Sequence, residues 1–182
     1  MNIHRIYYPV LTLGPGRRIG IWTRGCTKHC PGCMSPELAI MEPRYEIPAA
    51  VLERTLTEIF RMQNVDGVTV SGGEPLDQYE DLLRLLGHLA QYTEDILVYS
   101  GYTKKELGKE RFSALHEYAS LILGPYRQAE NDGRALRGSA NQEIIYKDEK
   151  QKERYQKTVE GPRSLQPVAG RSELFLIGIM DA

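Results

Sequence analysis

All three cysteines of the chain fall in one window, Cys26-Thr27-Lys28-His29-Cys30-Pro31-Gly32-Cys33. Thiolates in such a C-x3-C-x2-C run suit zinc or an iron–sulfur cluster. A structural zinc site needs a fourth ligand, and His29, adjacent to Cys30, is awkwardly placed to serve the same ion. No second cysteine pair supports a zinc ribbon, and a two-cluster ferredoxin needs more cysteines. A 4Fe–4S cluster with three protein ligands fits better and leaves one iron open, as catalytic metals keep a position open. Downstream stands Ser71-Gly72-Gly73-Glu74-Pro75. Glycines let backbone approach a ligand closely, and Glu74 adds negative charge suited to an ammonium group. A phosphate cradle is the poorer reading, since Glu74 would repel phosphate and no Lys-Ser/Thr follows. The plain alternative is a tight turn before a helix.

Several segments must position these groups. Residues 3–10 are rich in β-formers, and Gly20–Arg24 reads as a short strand delivering the chain to Cys26. Leu52, Leu56, Ile59 and Phe60 share one face of a helix that starts near Pro48. Gly67–Ser71 is a β-rich run. Asp77 and Glu80 look like a capping box opening a helix that carries Leu82, Leu83, Leu86 and Leu89. Strands at 95–100 and 120–123 flank a helix opened by Thr103-x-x-Glu106. Strand centres at Val68, Ile96 and Leu121 with one helix between each pair give the βαβ rhythm of a parallel sheet. Residues 126–142 read as a long functional loop and 142–146 as a strand. The mixed charge of 147–160 suggests a solvated helix. Residues 161–172 look like a connection, and 173–179 like a closing buried strand.

The 182 residues suffice for one domain with a single core. A net charge of −1 gives no electrostatic footprint for nucleic acid. No apolar run is long enough to span a membrane, and no signal peptide is expected at the N-terminus. An odd number of clustered cysteines does not suit a disulfide framework, so a cytoplasmic location is expected.

Taken together, Cys26-x3-Cys30-x2-Cys33 and Gly72-Gly73-Glu74-Pro75 resemble the motifs of the radical S-adenosylmethionine enzymes. Gly25, Cys30-Pro31-Gly32-Cys33, Tyr99-Ser100-Gly101-Tyr102 and Arg137-Gly138-Ser139-Ala140-Asn141-Gln142 narrow the resemblance. It is then to the activating proteins of anaerobic (class III) ribonucleotide reductase and other glycyl-radical enzymes. The resemblance implies an α/β fold, a partial parallel β/α barrel of about five or six strands with the cysteine loop at its mouth. One domain is expected over 1–182, its core over 3–146 and an extension over 147–182. By resemblance Cys26, Cys30 and Cys33 hold a 4Fe–4S cluster whose fourth iron binds S-adenosylmethionine. Reductive cleavage, with flavodoxin or ferredoxin as donor, would give a 5′-deoxyadenosyl radical that takes hydrogen from the target. Backbone at Gly32 and Met34 is expected on the adenine. Ser71, Gly72, Gly73, Glu74 and Pro75 are expected around the methionyl end, and Ser100 at the ribose or methionyl end.

Arg137, Ser139 and Asn141 could line the mouth, or Arg137 could form a structural ion pair. Tyr99 and Tyr102 read as packing residues, and His4, His88 and His116 as structural. Arg17, Arg18, Arg24, Lys28 and His29 suggest a cationic collar for an acidic electron donor. Position 35 is Ser where these activases carry Asn, and Ala119 and Leu123 are apolar where they carry acids. Those departures motivate a second target class, a peptide or small molecule. A non-catalytic iron–sulfur or zinc module is the alternative outside enzymology.

Overall fold

The sheet is built from strands β1 (Ile3–Val10), β2 (Arg18–Thr23), β3 (Gly67–Gly72), β4 (Ile96–Ser100), β5 (Ser120–Leu123) and β6 (Glu143–Ile145). The helices are α1 (Ala49–Met62), α2 (Tyr79–Leu89), α3 (Lys104–His116) and α4 (Glu149–Glu160), and a separate hairpin pairs β7 (Gln166–Ala169) with β8 (Leu174–Ile177). These elements come from a computed structural model that describes residues 1–170 and 174–180.

Spatial order follows chain order from β1 to β6. β2 to β5 are parallel, while β1 and β6 run antiparallel at the edges. Each crossover helix moves the chain one position along, so the sheet grows in one direction and remains open. The strands alternate their side chains between two faces. Ile19, Ile21, Val68, Val70, Val98 and Leu121 pack against leucines of α1, α2 and α3 in the main core. The opposite face buries Leu97 and Ile122 beneath Tyr155 of α4, and Val10 and Leu13 beneath Val168 and Ile177 of the hairpin. The described helices include none long and apolar enough to cross a membrane.

Four expectations change. α4 is not simply solvated: Tyr155 is fully buried, and its hydroxyl donates to Asp95 Oδ1 at 2.6 Å. Residues 166–169, expected in a connection, form β7, where Pro167 is tolerated in a two-stranded edge. β8 joins this hairpin rather than the main sheet, and Leu174 and Leu176 on it are exposed. The part of that expected strand at residue 173 lies outside the described residues. Asp77 caps nothing: the helix starts at Tyr79 after a short 3-10 turn over Pro75–Gln78, with Gln78 at the N-cap. The Thr103–Glu106 capping box is formed as expected, and α3 breaks at Gly108.

Candidate functional site

The cysteine loop leaves the C-terminal end of β2 and is fastened on three sides. Gly25 and Cys26 donate backbone hydrogen bonds to Leu38 and Ala39 carbonyls at 2.8 and 2.9 Å. Gly73 donates to the Thr23 carbonyl at 2.9 Å and Glu74 to the Gly25 carbonyl at 2.7 Å, joining the ends of β2 and β3. That approach explains the paired glycines: a Cβ on Gly72 would strike Thr23 backbone, and one on Gly73 would strike the Gly25 carbonyl. The third side is Asp77. Its Oδ2 accepts from Thr27 N at 2.7 Å, and its Oδ1 accepts from the Thr27 hydroxyl at 3.0 Å and the Tyr102 hydroxyl at 2.9 Å. Lys28 lies 3.6 Å over the Tyr102 ring and donates to Glu106 Oε1 at 2.8 Å. Lys28 and the Thr103 donors hold the Glu106 carboxyl down at about 2.

A cavity of about 460 Å³ opens between this loop and the strand ends. Cys26, Cys30, Cys33, Ser71, Gly72, Gly73, Glu74 and Ser100 all line it. Three other expected residues lie elsewhere. Pro75 is buried behind the wall, Met34 lines a second, adjoining cavity, and Gly32 is exposed beside Gln128. The cysteines are free thiols, Cys33 exposed and the other two half-buried. Burial raises the Cys26 thiol; backbone N–H groups of Lys28 and His29 oppose the rise, and the Glu74 and Asp77 carboxylates add to it. Loading a metal at this thiol therefore releases a proton. Among the described residues no three His, Cys, Asp or Glu side chains converge on a single-ion position. The donor set, three soft thiols from one loop lining one cavity, suits a cluster with thiolate ligands.

Glu74 takes a role that its sequence context did not show. It is almost wholly buried, and burial pushes its carboxyl up to about 7 against three donors, Leu76 N, Gly101 N and the Ser100 hydroxyl. It thereby clasps the end of β3 to the end of β4. The Ser100 hydroxyl donates into this clasp and accepts from Tyr102 N at 3.0 Å, which spends its one proton within the protein and leaves one lone pair to accept.

The loop over 126–142 forms the far rim, through Tyr126, Gly138 and Gln142. Arg137 pairs with Asp132, Ser139 is buried and accepts from Arg127 N, and Asn141 Nδ2 donates to the Pro125 carbonyl. These three brace the loop rather than line a cavity. Gln142 braces it too, accepting from Gly138 N at 2.7 Å and donating to the Gly124 carbonyl. Ala119 and Leu123 belong to the helix-side core and line neither cavity.

The cationic collar is not assembled. Arg18 is the first residue of β2 and is buried against Asp95 at 2.8 Å, and Arg17 sits beside it. The five steps of β2 carry the chain about 17 Å from there toward the cysteines. Arg24 is buried and paired with Glu42, and Lys28 is paired with Glu106. The expected structural histidines are contacted within the fold: His4 by Tyr45, His88 by Tyr92 and His116 by Phe112. Sequence reasoning missed Asp77, Tyr126 and Gln142 as builders of the site, and it gave Trp22 no role at the second cavity.

An open, mostly parallel α/β sheet with a three-thiol loop over its strand ends is the layout of an iron–sulfur protein. Comparison with known proteins narrows this. The family described as a 4Fe-4S single cluster domain matches residues 12–145. The anaerobic ribonucleoside-triphosphate reductase-activating protein of Escherichia coli K12 is 29% identical over 152 residues, covering 79% of this chain and 97% of that one. Its Haemophilus influenzae counterpart is 30% identical over 154 residues, covering 76% of this chain and 94% of that one. The pyruvate formate-lyase-activating enzyme of Staphylococcus aureus is 30% identical over 142 residues, covering 72% of this chain and 55% of that one. No solved structure matches. The chain belongs to the 4Fe–4S single-cluster family and, within it, to the radical S-adenosylmethionine activating enzymes.

Proposed function

We propose that this enzyme installs a glycyl radical on a partner protein, an anaerobic ribonucleoside-triphosphate reductase first among them. The observation that carries the reading is the single cavity lined by all three cysteines and by the Gly72–Glu74 end of β3. Cys26, Cys30 and Cys33 would hold a 4Fe–4S cluster, and the methionyl end of S-adenosylmethionine would lie toward Gly72 and Gly73. When bound, this pair supplies one-electron cleavage of the sulfonium to methionine and a 5′-deoxyadenosyl radical, which takes a hydrogen atom from a glycine Cα. The electron comes from a reduced flavodoxin or ferredoxin.

The protein's own part is positioning. Asp77, Tyr102 and the Lys28–Glu106 pair fix the cysteine loop against α3 and the turn after β3. The Glu74 clasp fixes the strand ends that face it and leaves the Gly72–Gly73 backbone lining the cavity. Tyr126 and Gln142 line its far side. We read the open sheet as a partial β/α barrel and the chain as one domain, core 3–146 and extension 147–182, because α4 and the hairpin cover the sheet's inner face.

The test is anaerobic reconstitution followed by reduction in the presence of the reductase. The expected result is about four irons per chain, 5′-deoxyadenosine formation and a glycyl-radical resonance on the reductase. Stoichiometric zinc with no 5′-deoxyadenosine would refute it.

A further inference from the structure

Arg163 follows α4 and lies beyond the family match at residues 12–145. Its half-buried guanidinium gathers main-chain carbonyls from two separate segments. Nε donates to the Arg134 carbonyl at 3.0 Å, and Nη2 donates to the Arg137 and Gly138 carbonyls at 2.7 and 3.1 Å. Nη1 donates to the Met180 carbonyl at 3.4 Å. A β-bridge between Pro162 and Arg134 adds to the join. A planar fork of five donors suits such convergence, and a lysine ammonium does not reproduce it.

Two features of the rim loop show what this fork holds. Leu136 is buried in the cluster with Leu97, Ile122 and Tyr155, and its φ of 67° is left-handed, which is uncommon for a residue with a side chain. Such a residue persists where its surroundings over-determine it. Here the carbonyls of Arg134 and Arg137, on either side of it, are both held by Arg163. The second feature is Gly138. A Cβ on it would strike the Tyr126 ring at 2.9 Å, and its N–H donates to Gln142 Oε1 at 2.7 Å. Tyr126 and Gln142 are thus both seated on Gly138, and both line the cavity that the three cysteines line. Arg163 therefore reaches the wall of that cavity through one intervening residue.

We propose that Arg163 is a positioning residue for the cofactor cavity: through it the extension after residue 146 holds Gly138, and so Tyr126 and Gln142, in the cavity wall. The inference rests on the reading of this cavity as the S-adenosylmethionine site of an activase. Arg163 does not line the cavity, so its effect falls on the order of the wall before binding. A loosened wall must be ordered by the cofactor, which lowers affinity. Once the cofactor is bound, the chemical step meets the same wall.

The test compares the full reconstituted chain with its Arg163→Ala and Arg163→Lys variants. The first arm is limited trypsin digestion, with fragments identified by mass. The bonds after Arg134 and Arg137 are those whose carbonyls Arg163 holds, and cleavage of a transiently opened loop tracks its open population. Cutting at these two bonds is expected to be about tenfold faster in Arg163→Ala, with Arg163→Lys in between. The second arm titrates S-adenosylmethionine against the reduced cluster, followed by its paramagnetic resonance spectrum. The Kd is expected to rise about five- to tenfold in Arg163→Ala, while 5′-deoxyadenosine formation at saturating cofactor keeps its rate. A merely structural role would lower the Tm and leave the Kd unchanged. If Arg163→Ala fails to fold by circular dichroism, Arg163→Lys carries the comparison. Unchanged cutting at the two bonds, or an unchanged Kd in a folded variant, overturns the inference and leaves the activase reading intact. Absence of both S-adenosylmethionine binding and 5′-deoxyadenosine in the unsubstituted enzyme overturns both.

Discussion

Asp77→Ala should loosen the cysteine loop and speed loss of its metal. The carboxylate accepts three hydrogen bonds, two from Thr27 and one from the Tyr102 hydroxyl, and it is half-buried. Net bonds of this kind are worth about 0.5–1 kcal/mol each when water can partly replace them, so the clamp totals roughly 1.5–3 kcal/mol. That is a shift of about ten- to a hundredfold toward the open loop. The alanine also removes a negative charge that raises the Cys26 thiol, an effect that favours thiolate and works the other way. Asp77→Asn loses the same charge but keeps an oxygen for Tyr102 and the Thr27 hydroxyl, so the charge effect cancels in the Ala-to-Asn comparison. Tyr102→Phe removes one bond and keeps the ring beneath Lys28. The assay is anaerobic iron release from reconstituted protein to a coloured chelator, with circular dichroism as the check on folding. The expected order of release rates is Asp77→Ala, then Asp77→Asn, then Tyr102→Phe, then the unsubstituted protein. Wild-type release from folded Asp77→Ala, or equal rates for the Ala and Asn variants, would refute the clamp.

Glu74→Gln places an amide N–H₂ against one of the clasp's donors and should cost about 1–3 kcal/mol in urea unfolding. Burial lifts Glu74 from its usual 4.5 to about 7, so its contribution to stability is fully present below 4.5 and is lost as pH rises through 7. The metal-free protein should therefore lose stability across that window, and the Gln variant should show a flatter profile; parallel profiles would sink the assignment. Tyr99→Phe removes an unpaired buried hydroxyl, so unfolding free energy should rise by about 1 kcal/mol. A loss of stability by differential scanning calorimetry would mean that the hydroxyl has an internal partner. Asp95→Ala strands the fully buried Arg18 guanidinium and should cost about 3–5 kcal/mol. Tyr155→Phe, which removes one hydrogen bond to the same carboxylate, should cost about 1 kcal/mol; equal losses in thermal unfolding would contradict the network.

The parts of the site visible in the sequence are those where the chemistry lies within one short segment. Three thiols in one loop, two glycines at a strand end and a capping box need no tertiary information to be read. The misreadings share a cause: each took neighbours in sequence for neighbours in space, or mixed charge for solvent. Arg17 and Arg18 are near Cys26 along the chain, but β2 runs from one end of the sheet to the other between them. α4 is rich in charge, yet it docks on the sheet through buried Tyr155 and Gln151 and the Arg154–Asp95 pair. Asp77 read as a cap because Asp followed by Glu at that spacing satisfies a helix start, and the competing partner, Thr27, is fifty residues away.

By itself the sequence determined that a three-thiolate metal loop precedes a βαβ series, that a Gly-Gly-Glu-Pro turn follows β3, and that these residues resemble those of radical activases. Local spacing suffices for each, because a nine-residue loop or an amphipathic helix is specified by its own residues. Only the tertiary structure decided what those groups meet. It showed Glu74 clasping the ends of β3 and β4 at the cavity wall, gave the Thr27 loop its Asp77 anchor, and buried the Tyr99 and Tyr126 hydroxyls without a partner. Hydrogen bonds and burial depend on atoms a few ångströms apart, and the order of strands in the sheet sets which distant residues come that close.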